Sequence, residues 1–311
     1  MQQERLDPMA QIVGIGANVF DTLYRLDSYP KEDTKQKAQS VTESGGGPCG
    51  TGLVAASKLG SSCAYIGNCS DDRAGEFLRA DFERYGVSID MMTPVENTGA
   101  FCSCIWLSDD SAARTCVFHR GNVPGTVLGE REATAIANAD ILMVDGNDLD
   151  AAVEGARIAK EKGTLVLYDA GGQYEDVHRL LALTDILIPS EEFALGHTGE
   201  ENVANAARKL WQMYNPKVIV ITQGKEGGIL YDGEKLLRYP AFPVDALDTN
   251  GSGDVFHGAF AFALTQGMDY ARCCVFSSAV SAFKCTHVGA RQGVPSYDAT
   301  IAFLRSRGVE L

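Results

Sequence analysis

What this 311-residue chain lacks narrows its function before any motif is considered. It has no basic run, and 27 Lys and Arg against 41 Asp and Glu leave a formal charge of −14. That balance excludes phosphate-backbone binding as the main task and disfavours anionic membranes, so neither nucleic acid nor membrane is an expected partner. No apolar span reaches the length of a membrane helix, and the opening "MQQERLDPMAQ" lacks a signal peptide's apolar stretch; the expected location is the cytoplasm. Nine cysteines are scattered with no C-x-x-C spacing, and the five histidines do not join them at metal-ligand spacing. The cysteines therefore read as small apolar filler, with no disulfide framework and no structural zinc. No G-x-x-x-x-G-K-[ST] occurs, which excludes a P-loop. Gly45-Gly46-Gly47-Pro48-Cys49-Gly50 spells G-x-G-x-x-G, but "TKQKAQSVTE" precedes it where a dinucleotide site needs an apolar strand.

What is present is a regular alternation. "QIVGIGA" (11–17), "CAYIGN" (63–68), "DILMVDG" (140–146), "TLVLYDA" (164–170), "DILIPS" (185–190) and "KVIVITQG" (217–224) read as buried strands. Between them, residues 51–60, 73–86, 148–163 and 202–214 carry helical apolar spacing, and several of these helices stop at glycine. Nearly continuous apolar strands separated by helices predict an α/β body of three layers, a mostly parallel sheet covered by helices on both faces. Ligands then bind beyond the carboxyl ends of the strands. Residues 20–43 and about 95–122 break the rhythm as hairpin material without a core of their own, so they predict a small β-sheet lid on a single domain spanning 1–311. Residues 225–240 predict a further hairpin turning at Asp232-Gly233.

The segment "ALDTNGSGDVFHGAF" (246–260) carries the chemistry. Gly251 and Gly253 let backbone N–H groups converge, and a helix rich in small residues follows at once. Helix N-termini present unsatisfied donors and partial positive charge, a setting for phosphate. A carboxylate, Asp254, stands directly behind that loop, where it would repel the anion the loop attracts. Phosphoryl transfer removes the contradiction. The amides of Gly251, Ser252 and Gly253 stabilise charge on the transferring group, while Asp254 takes the proton of a neutral hydroxyl lying between. Read alone, Asp254 is also a plain helix-terminal acid, and His257, one turn on, reads as a packed, satisfied polar residue.

"DTNGSGDVFHGAF" resembles the D-T-x-G-[AS]-G-D signature of the ribokinase-like (PfkB) carbohydrate kinases. The likeness extends in order along the chain: Gly16 to Asp21, "GGGPCGT" (45–51), "VITQGKEGG" (220–228), the signature, and "KCTHVGARQGVP" (284–295). It implies ATP as donor with Mg2+, and a sugar or nucleoside hydroxyl as acceptor. Position by position, it makes Asp254 the base and Gly251, Ser252 and Gly253 the anion hole. It makes Asp21, Gly46, Gly47 and Thr51 acceptor contacts, with Arg120 or Arg114 of the lid reaching a polar or anionic substituent. Thr222, Gly224, Gly227 and Ser278 fall beside the nucleotide. Asp248 and Asn250, with backbone from Lys284, His287, Gly289 and Gly293, match the K+ site of many members.

Other readings stay open: Asp21 and Asn250 as turn residues, Thr222 as a strand hydroxyl, Arg114 and Arg120 as solvated charges. Two positions depart from the pattern. Thr51 stands where the family usually has Asn, offering one hydroxyl in place of an amide. The N-x-x-E stretch linked to magnesium reads Ser190-Glu191-Glu192-Phe193, leaving Glu191 or Glu192 to act through water. The subgroup features look most like a bacterial branch near ketohexokinase and sulfofructose kinase, so the expected acceptor is a ketose-like or furanose sugar with a primary hydroxyl. A purine nucleoside kinase, with Phe101, Trp106 and Phe118 around a base, is the alternative; a catalytically silent sugar-responsive protein is the third. Apolar faces on the lid suit a homodimer formed through it.

Overall fold

A computed structural model describes residues 10–110, 114–172 and 174–311. The polar turn expected inside the lid includes 111–113, and most of the opening "MQQERLDPMAQ" precedes residue 10, so both calls lie largely outside the described residues.

Nine strands form the central sheet: β1 (Ile12–Ile15), β4 (Cys63–Ser70), β5 (Val87–Val95), β8 (Ile141–Val144), β9 (Leu165–Ala170), β10 (Ile186–Pro189), β11 (Val218–Thr222), β12 (Gly228–Tyr231) and β13 (Leu236–Tyr239). Their spatial order is β13-β12-β11-β10-β9-β8-β1-β4-β5. Every pairing is parallel except β11–β12 and β12–β13, the hairpin read at 225–240. Side chains alternate between two cores, as the two-residue period of a strand demands. Ile141 and Met143 face one core, Leu142 and Val144 the other. The first core is covered by α1 (Pro48–Leu59), α2 (Arg73–Arg84), α8 (Ser252–Thr265), α9 (Tyr270–Cys285) and α10 (Tyr297–Ser306). The second is covered by α3 (Glu130–Asn138), α4 (Leu149–Lys162), α5 (His178–Leu181), α6 (Glu191–Thr198) and α7 (Val203–Tyr214).

The two irregular segments supply β2 (Val19–Leu26), β3 (Ser40–Gly46), β6 (Cys102–Ser108) and β7 (Arg114–His119). They join as one sheet in the order β3-β2-β6-β7, with two antiparallel hairpins meeting in parallel along β2 and β6. Leu23 and Ile105 give this sheet a buried side, whereas β7 is exposed along its length. All nine cysteines are free thiols. Among the described residues no helix is long and apolar enough to cross a membrane.

Candidate active site

The glycine turn is built as the start of α8. Gly251 caps the helix with φ 72°, a left-handed conformation that a side chain would strain. Asp248, buried just upstream, fixes the approach: one carboxylate oxygen accepts from Asn250 N (2.8 Å), the other from Gly289 N (2.8 Å). Leu247 N donates to Cys285 O (2.8 Å), which ties the turn to the end of α9. Ser252 N leans back on Thr249 O (3.3 Å), while among the described residues the N–H groups of Gly251 and Gly253 have no protein acceptor. Two donors of the expected anion hole are therefore free for a ligand.

Asp254 sits half-buried in the first turn of α8. Burial raises its carboxyl above the ordinary range, opposed by His257, Arg114, Lys284 and Arg291. His257, buried one turn on, has Nδ1 2.6 Å from Gly253 O and Nε2 2.9 Å from Ile188 O. Asp169 Oδ2 lies 3.1 Å from the same Nδ1, and burial pushes the Asp169 carboxyl upward. His257 thus joins β9, β10 and the first turn of α8, which fixes the face from which Asp254 projects.

Across from this turn, Asp21 on β2 is buried and accepts from Ser103 Oγ on β6 (2.6 Å). Burial lifts its carboxyl to about 6, against the lowering pull of Ser103 and Arg291, and Asp254 adds a raising contribution. Gly46 must be glycine because a Cβ there would overlap Asp21 Oδ2. Behind the glycines runs Arg291, fully buried. Its guanidinium donates to Asp81 Oδ2, Asn18 Oδ1 and Gly46 O, each at 2.7 Å, and lies over the Phe82 ring. A Cβ on Gly45 or Gly50 would collide with that guanidinium, so "GGGPCG" is the groove that admits an arginine. Gly47, at φ 85°, caps α1. Asp145, at the end of β8, accepts from Ala17 N (2.8 Å) and Cys49 N (3.0 Å), holding the β1–β2 turn against α1.

Thr51 lies inside α1 with no exposure, and its hydroxyl has no partner among the described residues. The structure does not bring its side chain to an open surface. Arg120 stacks over Phe101 and Tyr174 and lines a cavity of about 250 Å³ with Asn18, Asn68 and Asn147. The lid arginine that reaches the phosphate turn is Arg114, whose Nη1 donates to Asn250 Oδ1 (2.6 Å). Arg114 acts electrostatically on both Asp21 and Asp254.

The residues expected beside the nucleotide do come together. Thr222, Gly224, Gly227 and Ser278 line one cleft of about 840 Å³ with Ser252 and Gly253 at one end. Phe242, Tyr239 and Phe256 give it an apolar wall suited to a flat ring. Ser278 donates to Pro240 O (2.7 Å), so its hydroxyl shapes the wall. Glu191 and Glu192, exposed in the first turn of α6, line the same cleft, and Glu191 accepts from Gln223 Nε2 (2.8 Å). Two exposed carboxylates beside a phosphate turn fit a magnesium ion held through water.

At the expected potassium site the surprise is a side chain. Lys284 contributes its ammonium to the turn: Nζ donates to Asp248 O (2.8 Å) and Asn250 O, with Asp248 Oδ2 at 3.9 Å. Lys284 O accepts from His287 N (2.9 Å) and Gly289 O from Gly293 N (3.4 Å), so these carbonyls close their own turns.

Several site residues escaped the sequence reading: Arg291, Asn18, Asp145, Asp169 and the inward ammonium of Lys284. The one available signal was the glycine density around 45–50, which marks a close approach without naming what approaches.

Comparison with known proteins gives the class first. The structure matches that of Arabidopsis thaliana ribokinase complexed with ribose and ATP, with a TM-score of 0.84 at 22% identity, covering 96% of this chain and 99% of the other; at that identity the likeness shows the fold, ribokinase-like. Among sequence relatives, ATP-dependent ribose-1-phosphate kinase of Halopiger xanaduensis is 29% identical over 96% of this chain and 99% of its own length. Mouse ketohexokinase is 24% identical over 88% of this chain and 96% of its own. The pfkB family carbohydrate kinase model matches residues 9–296, and the chain belongs to that family. It is accordingly a phosphotransferase with an alcohol acceptor.

Proposed function

We propose that this chain transfers the terminal phosphoryl group of ATP to a primary hydroxyl of a furanose or ketose-like sugar. The observation that supports it best is the placement of Asp254. It follows the unengaged amides of Gly251 and Gly253, the second of which lines the large cleft, and it is near enough to Asp21 to act on that carboxylate electrostatically. A sugar hydroxyl between the two carboxylates gives its proton to Asp254 as its oxygen forms the new bond to phosphorus. The bond from phosphorus to the bridging oxygen breaks, and ADP leaves with that electron pair. Gly251 and Gly253 amides steady the transferring group, Asp21 holds a neighbouring hydroxyl, and Arg114 closes the turn from the lid. Glu191 and Glu192 would hold magnesium through water, and that ion would supply charge neutralisation on the phosphates.

The exposed Val41, Val117 and Phe118 on the lid's outer strands suit pairing with a second copy. The nucleoside reading retains one support: Phe101 lines the smaller cavity, with Phe118 at 5.7 Å. An acceptor panel of ketoses, furanoses, a pentose 1-phosphate and purine nucleosides, read as ADP release, separates these readings. Asp254→Asn is expected to lower kcat on the order of 10²–10⁴-fold with the melting temperature retained. Near-full turnover in that variant would remove the base from this scheme.

A further inference from the structure

Lys284 is a lysine with no solvent exposure, and an ammonium so placed needs partners. It has three within reach, all from one short turn: the carbonyls of Asp248 and Asn250 and the Asp248 carboxylate. Asp248 and Asn250 belong to the set expected to surround a potassium ion, together with backbone of Lys284, His287, Gly289 and Gly293. An ion among them would have to share the space with a fixed like charge, so potassium does not fit the site as built. The ammonium does fit: it carries the same single charge and three donors to set against those oxygens.

The position has a consequence for the anion hole. A peptide unit is planar and trans, so its C=O and N–H point in opposite directions. The Asn250 carbonyl is held on Lys284 Nζ, and the Gly251 N–H of the same peptide therefore points away from the lysine. That N–H has no protein acceptor among the described residues. Asp248 completes the frame by accepting from Asn250 N and Gly289 N. The charge lies behind the turn and out of solvent, where salt screens it poorly.

We infer that Lys284 is a built-in monovalent cation, a positioning residue that orients the Gly251 amide and makes the enzyme independent of potassium. The inference rests on the proposed kinase reading, since it concerns the same anion hole, but its physical content can be measured without turnover.

The experiment compares wild type, Lys284→Ala and Lys284→Met in potassium, ammonium and choline chlorides at equal ionic strength. Thermal melting and acceptor-dependent ADP release are both recorded. Wild type is expected to give the same melting temperature and rate, within twofold, in all three salts. Lys284→Ala is expected to lose on the order of 10²-fold in kcat, the effect of losing one oriented donor. Potassium or ammonium, but not choline, should restore at least tenfold of that loss and raise the variant's melting temperature. Lys284→Met keeps the packing without the charge and is expected to stay folded, slow and unresponsive to potassium. Should Lys284→Ala not fold, the wild-type salt comparison and the methionine variant still decide. Several-fold potassium activation of wild type, or full turnover of either variant in choline, overturns the inference. If no acceptor supports turnover, the kinase reading of the substrate fails separately. Melting then decides for Lys284: a potassium response in the alanine variant alone supports the inference, and any other pattern rejects it.

Discussion

Asp21 and Asp254 show how burial tunes a residue to its task. In the proposed scheme Asp21 is ionised when it accepts a sugar hydroxyl, yet burial raises its carboxyl to about 6, while the Ser103 hydrogen bond pulls the other way. A raised carboxyl is protonated below about 6, so acceptor affinity should fall as the pH drops through that value. Removing Ser103's donation removes a lowering influence. In Ser103→Ala the acid limb of kcat/KM for the acceptor is therefore expected to move to higher pH, with the alkaline plateau nearly kept. A pH profile of both proteins checks this, and an unmoved limb would assign it to another group. Residue roles such as these were partly legible in advance. Gly46 was placed only by the family resemblance, whereas Asp254 and Gly251 announce themselves by local spacing. Arg291 and Lys284 do not, because a lone basic residue reads as solvated, and the partners that bury Arg291 stand at positions 18, 46 and 81.

At the scale of elements, the close approach of α1 and α8 brings the glycine groove at 45–50 to the glycine turn that starts α8. Gly258 of α8 lies against the backbone of Gly52 in α1, and a Cβ at 258 would overlap Gly52 O. The colliding atom is backbone, so a whole helix must move. Gly258→Ala is expected to destabilise by about 1–3 kcal/mol, read as a lower midpoint in urea, and to slow turnover as Asp254 shifts relative to Asp21. The strands were the most legible elements, because apolar runs such as "ILMV" and "VIVIT" permit little else. The start of α1 was missed by three residues: Pro48 occupies its first position, but the surrounding glycines hid the helix. Five helices, α3, α5, α6, α9 and α10, were not read. In α9, Ser277, Ser278 and Lys284 are buried beside Phe276 and Val280, so no polar stripe marks an outer face. Parallel pairing of β2 with β6 was equally hidden, since hairpin signals are local and that contact joins residues about 80 apart.

Over the whole molecule, a net charge of −14 stands in contrast to a site that must attract phosphates. The structure answers by concentrating fixed positive charge where it counts: Lys284 and Arg291 buried behind the two glycine turns, and Arg114 arriving from the lid. The same lid presents Val117 and Phe118, 61% and 59% exposed, on its outermost strand. An apolar edge strand of this kind favours association with another sheet. Light scattering is expected to give twice the mass of one chain for the wild type. Val117→Asp should reduce that to one chain with little change in melting temperature. A wild type already of single-chain mass would remove the pairing.

Arg291 also sets an order of events during biosynthesis. Its guanidinium fastens residues 18, 46 and 81, so the wall they form stays unfinished until residue 291 has also left the ribosome. A nascent or prematurely ended polypeptide would carry the glycine groove without the arginine that fills it.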